Sequence, residues 1–347
     1  MKVLVFGAGA IGTYIGGSLA LAGTRVVFKE RPDVAEGILE RGMHLILHGV
    51  ERFIPHPQVT GSLEQSLAFG PYDVAIFALK SNDTQSALEG MKPYLTQIPP
   101  LLCLQNGVDN EPALSAILGY QSVIPGTVTS AIGRRSAGDI VLEKYRGMGL
   151  ADEHPLSQQL AKELNNAGLN AHLFRNALDM KWSKMLTNLL ANATSAILDM
   201  TPIEIFADPR LYRLEVQQLR EALQVMESLG LTPVNLPGVP VRLLAFGIQN
   251  LPLVLSRPLL RRAVGAGRGA KMPSFHIDLY NRRGTSEVDY LNGAVFRHGM
   301  RQGIPTPVNR LLNETLIALT AGEIPLQVYA HNPEALLQKL KGQQPDD

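Results

Sequence analysis

The stretch KVLVFGAGAIG, residues 2–12, narrows the fold of this chain more than any other. KVLVF is a short apolar run rich in β-branched residues and reads as a buried strand. Gly7, Gly9 and Gly12 follow it directly, interleaved with Ala8, Ala10 and Ile11, and the next residues open a helical pattern closed by Gly23. In a strand–loop–helix setting the GxGxxG spacing has a mechanism. The first glycine allows a tight turn, the second lets backbone approach a pyrophosphate, and the third lets helix and strand pack closely. The helix N-terminus adds amide donors and positive potential for phosphates. The same glycines, with Gly16 and Gly17, interrupt what would otherwise resemble the apolar core of a secretory signal.

Further buried strands are expected at TRVVFKE, DVAIFA and LLCLQ, with helix-like sequence after each, and β-structure at SVIPGTVTSAI, DIVLEKY and NAHLF. Strand and helix in alternation predict a mostly parallel sheet. After about residue 175 the texture becomes helical. NALDMKWSKMLTNLLANATSAILDM is one long helix-periodic stretch, and DPRLYRLEVQQLREALQVMESLG is another, with Asp208 as cap and Gly230 as stop. SEVDYLNGAVFRHG and PVNRLLNETLIALTAG add two more. The expected architecture is an α/β N-terminal Rossmann-type dinucleotide-binding domain, 1–174, followed by an all-α C-terminal domain, 175–347, ending in a disordered GQQPDD tail.

Totals exclude several classes. A formal net charge of +1 gives no global field for nucleic acid or an acidic membrane, and no reader motif is present. Arginines and prolines break the apolar stretch 239–260, so no membrane span is expected. Eight histidines without a metal-ligand spacing, and a single cysteine, predict no metal site. Cys103 reads as a small buried hydrophobe, which suits a cytoplasmic, reducing setting.

The end of the second strand, KERPD, bears on NAD against NADP. Glu30 stands where an acid would chelate a ribose diol, whereas Arg31, beside Lys29, would clamp a 2′-phosphate. Two cations flanking one anion lean toward NADP, and the residues leave both open. Lys80 and Asn106 each follow a buried strand, placing them on the edge where parallel sheets bind ligands.

In the long stretch, Lys184, Asn188 and Asn192 recur every four residues and fall in one sector of a helix, joined by Lys181, Ser195 and Asp199. Trp182, Met185, Leu186, Leu189, Ala193 and Ile197 take the opposite arc. A core face with a wet face explains the pattern. A Lys–Asn–Asn file also presents a cation and amides suited to a polar ligand.

The ordered set GxGxxG, Arg31, LK, QNG, KxxxNxxxN, PSxxxD and EVDYLNG resembles the ketopantoate reductase family, over nearly the whole chain. The resemblance implies NADPH-dependent reduction of 2-dehydropantoate, a 2-oxo acid, with pantothenate biosynthesis as the setting. It implies Lys184 as catalytic lysine and Glu287 as its partner. It implies Asn106, Asn188, Asn192, Ser274 and Asp278 at the substrate, and Gly7 to Gly12, Arg31, Lys80 and Asn106 at the cofactor. Reduction of a 2-oxo acid develops negative charge on the carbonyl oxygen, which a nearby ammonium stabilises and protonates. A same-fold reductase of another 2-oxo acid and a catalytically silent NADP-binding sensor are the alternatives; a homodimer is one expected assembly. Glu287 also has a local reading, in a first helical turn after Ser286, with Asp289 completing a capping-box-like pattern. His276 reads as a turn residue or a substrate contact. The stretch from Ser228 to Ile277 has no acid but contains Arg242, Arg257, Arg261, Arg262, Arg268 and Lys271. That run reads as a solvated basic surface or as a local field for anions.

Overall fold

The computed structural model describes residues 1–268 and 271–342; the expectation for the terminal tail lies outside them from Gln343 on. The strands are β1 (Lys2–Phe6), β2 (Arg25–Lys29), β3 (Met43–Leu47), β4 (Val50–Ile54), β5 (Gln58–Thr60), β6 (Val74–Phe77), β7 (Leu101–Cys103), β8 (Val123–Val128), β9 (Ala131–Ser136), β10 (Asp139–Lys144), β11 (Met148–Ala151) and β12 (Ala171–Phe174). Eight of them form a sheet in the order β12-β11-β8-β7-β6-β1-β2-β5. All its pairings are parallel except β11 with β8. From β1 the chain steps outward to β2 and β5 on one side, and returns through β6, β7 and β8 on the other. The strand order therefore reverses between β1 and β6, and such a switch point opens a crevice at the carboxyl ends of the strands. Apolar side chains alternate along β1: Val3 and Val5 join one core layer, Leu4 and Phe6 the other. The sheet is covered on both faces, as the near-continuous apolar strands require.

A second sheet, β4-β3-β10-β9, was not expected from the sequence. Its hairpin turns at His48 (φ 52°) and Gly49 (φ 77°), between the paired residues Leu47 and Val50. Positive φ at both central residues is the hairpin turn whose twist matches the strands. The helix Ala10–Leu21 packs between the two sheets, and its glycines make the fit. A methyl group at Gly16 would stand 2.6 Å from the Phe28 ring of β2, and one at Gly17 would stand 2.6 Å from Leu45 of β3. The residues that spoil a signal-peptide reading are thus the ones that let this helix touch both layers.

The chain divides into two compact units. The first is Met1–Lys184 with Asn235–Val239, and the second is Met185–Val234 with the chain from Pro240 onward. The division falls inside the helix Ala177–Leu189, later than residue 174, and a short excursion rejoins the first unit. There Thr129 Oγ1 donates to Pro237 O at 2.8 Å. In the second unit the described residues form helices and no strand. Its longest, Pro209–Ser228, starts on Asp208, whose carboxylate accepts the Arg210 amide at 2.7 Å, and ends before Gly230 at φ 70°. Both signals match the sequence expectation. Among the described residues no helix is long and apolar enough to cross a membrane.

The long stretch 176–200 is not one helix. It breaks at Ala191, which is left-handed (φ 48°, ψ 22°), and a second helix runs Asn192–Leu198. The single polar face drawn through Lys181 to Asp199 is corrected accordingly. Lys181, Asn192 and Ser195 are buried, whereas Lys184 and Asn188 are half-buried.

Candidate functional site

In the first unit the glycine loop leaves β1 and enters the helix Ala10–Leu21 with no side-chain cap on the first amides. A Cβ at Gly12 would collide with the Gly7 carbonyl, so this glycine is required by the protein's own packing. Gly9 differs: a Cβ there would meet nothing within 4 Å. Its side faces open space, which leaves close approach of a ligand as the physical reason for a bare backbone. Uncapped helix amides beside an unobstructed loop suit the pyrophosphate of a dinucleotide.

Glu30 and Arg31 leave β2 beside this loop. Glu30 accepts the Ala8 amide at 2.5 Å through Oε1 and the Arg31 amide at 3.1 Å through Oε2. Its carboxylate is therefore tied to the glycine loop, where a ribose would be read. The Arg31 guanidinium is largely exposed, 3.8 Å from Asp33.

Lys80 and Asn106, after β6 and β7, are joined through a buried polar lattice that sequence reasoning missed. Gln105 Nε2 donates to Lys80 O at 3.1 Å and to Thr84 Oγ1 at 2.9 Å. Asn110 Nδ2 donates to Asn106 O at 2.7 Å and to Ser81 Oγ at 3.1 Å. The lattice fixes both loops at one edge of the sheet. Cys103, next to it, is fully buried, and burial pushes its thiol above the ordinary range.

The helix Ala177–Leu189 is anchored by Lys181, only 4% exposed. Its ammonium donates to Gln105 O (2.7 Å) and Gly126 O (3.2 Å) and pairs with Glu111 at 2.5 Å. Such a buried charge is tolerable only because it is paired and hydrogen-bonded. Lys181 is thus an anchor to the sheet. Lys184, one turn further, is half-buried, and Asn188 follows it by four residues on the same helix.

In the second unit the break at Ala191 is held by Glu215, which is 0% exposed. Glu215 accepts the Ala191 amide at 2.8 Å, the Thr194 hydroxyl at 2.5 Å and Gln218 Nε2 at 2.6 Å. Gln218 also donates to Leu189 O at 3.3 Å. This knot closes one helix and opens the next with Asn192. Asn192 Oδ1 accepts the Phe275 amide at 3.2 Å, and its Nδ2 lies 3.5 Å from Ser274 Oγ. The structure therefore brings together Asn192 and Ser274, which the sequence singled out separately. Neither Glu215 nor Gln218 carried a sequence signal beyond a polar residue on the apolar arc of its helix.

The remaining expectations fall differently. Asp278 is buried, and its Oδ1 accepts Arg283 Nη1 at 2.6 Å. His276 hydrogen-bonds Asp199 at 2.7 Å and stacks on Tyr280 with ring centroids 4.2 Å apart, so its ring serves local packing. Glu287 stands at the cap position of the helix Val288–Gln302, yet its side chain makes no capping bond. Asp289 accepts Arg297 Nη1 at 2.8 Å and Asn313 Nδ2 at 3.2 Å. The Ser286 hydroxyl accepts the Val288 amide at 3.2 Å, so Ser286 caps this helix start and the local reading of Glu287 in its first turn stands beside the functional one.

Known proteins match along almost the whole length. Residues 3–152 match the ketopantoate reductase PanE/ApbA family, and residues 176–320 match its C-terminal part. A 2-dehydropantoate 2-reductase of Streptococcus pyogenes serotype M3 is 25% identical, the match covering 92% of this chain and 98% of that protein. One from Pyrococcus horikoshii is 26% identical over 90% and 95%. Among solved structures, a PanE/ApbA family ketopantoate reductase from Ralstonia eutropha JMP134 has a TM-score of 0.78 at 26% identity, covering 93% of this chain and 99% of that one. D-mandelate dehydrogenase with NADH and anilino(oxo)acetate shares the fold at a TM-score of 0.76 and 21% identity, over 93% and 99%.

Proposed function

Because this chain belongs to the ketopantoate reductase family, we propose that it reduces 2-dehydropantoate, or a near relative among 2-oxo acids, to the 2-hydroxy acid with NADPH, in the cytoplasm. One observation carries the reading. Asn192 and Ser274, 82 residues apart, lie within hydrogen-bonding reach of each other, as two groups that hold one ligand should.

Each residue has a distinct role. The amides of Ala10, Ile11 and Gly12 receive the pyrophosphate, and Gly9 leaves room for it. Arg31 pairs with a 2′-phosphate; Lys80 and Asn106, fixed by the Gln105–Asn110 lattice, line the cofactor's path along the sheet edge. Bound there, a reduced nicotinamide dinucleotide supplies the hydride. Asn188, Asn192 and Ser274 orient the carboxylate and hydroxyl oxygens of the substrate, while Asp278 contributes through its pair with Arg283. Lys184 stabilises the charge that builds on the carbonyl oxygen and gives it a proton, leaving a neutral amine that is reprotonated from solvent. Glu287 favours the charged form of that lysine.

The Glu30 hydrogen bond to the Ala8 amide favours a second cofactor reading, NADH, since an acid fixed at that point suits a ribose diol. A panel of 2-oxo acids assayed with NADPH and with NADH tests both readings. The expected result is fastest oxidation of NADPH with 2-dehydropantoate. Faster oxidation of NADH would select the second cofactor reading, and no oxidation with any 2-oxo acid would reduce the protein to a nucleotide-binding sensor.

A further inference from the structure

The helix Leu253–Arg268 presents an unusual outer face. At 100° per residue, Val254, Leu255, Arg257, Pro258, Arg261 and Arg262 share the half of this helix opposite Ser256. Ser256 is buried and accepts the Tyr212 hydroxyl at 2.5 Å, which fixes that side as the inner one. On the outer side Val254 is 83% exposed and Leu255 is 58% exposed, with Arg261 and Arg262 exposed beside them. The helix also borders a groove of about 670 Å³ whose lining includes Ile203, Tyr212, Arg213 and Arg257, and no carboxylate.

Charge is distributed unevenly along the chain. From Leu229 to Ile277 there are six Lys and Arg and no acid, while the whole chain carries +1, so the remainder carries 1 − 6 = −5. Bare apolar side chains set among guanidiniums suit an anionic bilayer: the apolar groups enter the acyl boundary and the arginines meet lipid phosphates. A second copy suits the face poorly, because a two-fold contact would set the arginines against themselves. We propose that this helix docks the protein, lying in the interface plane, on a membrane surface rich in anionic lipid. The sequence expectation of no membrane partner rested on overall charge and on the lack of a spanning run, and neither addresses a surface of this kind.

Co-sedimentation of the intact chain with phosphatidylcholine vesicles and with phosphatidylglycerol-rich vesicles tests the proposal. The expected result is partition onto the phosphatidylglycerol-rich vesicles alone, weakening as salt rises. The triple variant Arg257→Gln, Arg261→Gln, Arg262→Gln should lose on the order of a hundredfold in partition. The pair Val254→Ser, Leu255→Ser should lose roughly tenfold, with an unchanged melting temperature in both variants showing that the fold survives. No binding to either vesicle, equal binding to both, or binding that survives the arginine substitutions overturns the proposal. Concentration-dependent self-association abolished by Val254→Ser, Leu255→Ser, without vesicle binding, would give the face to a second copy.

Discussion

The two units position their candidate residues by different means. In the first, Gly7 to Gly12, Arg31, Lys80 and Asn106 stand at strand ends, and the parallel sheet carries them to one edge by topology. In the second, Asn192 and Ser274 come from separate helices and meet only because a buried polar knot breaks the chain at Ala191. Main-chain geometry holds the glycine loop, the Gln105–Asn110 lattice only steadies the loops of Lys80 and Asn106, and side-chain hydrogen bonds alone hold the second set. The first should therefore fail when backbone room is taken away, and the second when a buried acceptor is removed.

The largest effect is expected in the first unit. In Gly12→Val a side chain would drive into the Gly7 carbonyl, so the loop must move. Affinity for NADPH should fall at least about a hundredfold, as expected when a loop built for close backbone approach is displaced. Retained affinity, by calorimetric titration, would show that the loop does not bind the nucleotide.

Glu215→Leu is the matching test in the second unit. It leaves the Ala191 amide, the Thr194 hydroxyl and the Gln218 amide without their acceptor. The expected cost is about 3 kcal/mol in denaturant unfolding. The KM for the oxo acid should rise while NADPH affinity holds, because Asn192 loses its fixed start. Equal losses in both would mean that the two sets are not supported separately.

A smaller effect sharpens the account of buried acids. Glu221 accepts the amides of Val308 (3.0 Å) and Asn309 (3.0 Å) at the start of the helix Pro307–Ala321. Burial outweighs these bonds and raises its carboxyl above the ordinary value. In the window between the unfolded and the raised folded value the native state holds more protons, so stability falls as pH rises through it and levels off above. Glu221→Gln should remove that slope from a plot of melting temperature against pH. An unaltered slope would show that another group causes it.

Legibility in the sequence follows the same division. Strand periodicity and the GxGxxG spacing announce the large sheet because they are local. The β3–β4 hairpin was missed because its turn is His48–Gly49, where positive φ at a histidine has weak sequence signature. The break at Ala191 was missed because alanine favours helix and the residues around it keep the helical period. What overrides them is Glu215, two dozen residues away and visible only after folding. Lys181 looked like a member of a wet stripe; its burial depends on Glu111 and on carbonyls of the sheet. Lys184, Asn188 and Asn192 were singled out by their four-residue spacing and then by the family motifs, Ser274 by the motifs alone.

The central claim is that the Lys184 ammonium carries the charge and proton of the reduction. Steady-state turnover of Lys184→Ala, set beside its NADPH affinity, tests it most directly. The account predicts a kcat lower by roughly 10²–10⁴ with nucleotide binding intact. Turnover equal to that of the unaltered protein would contradict it.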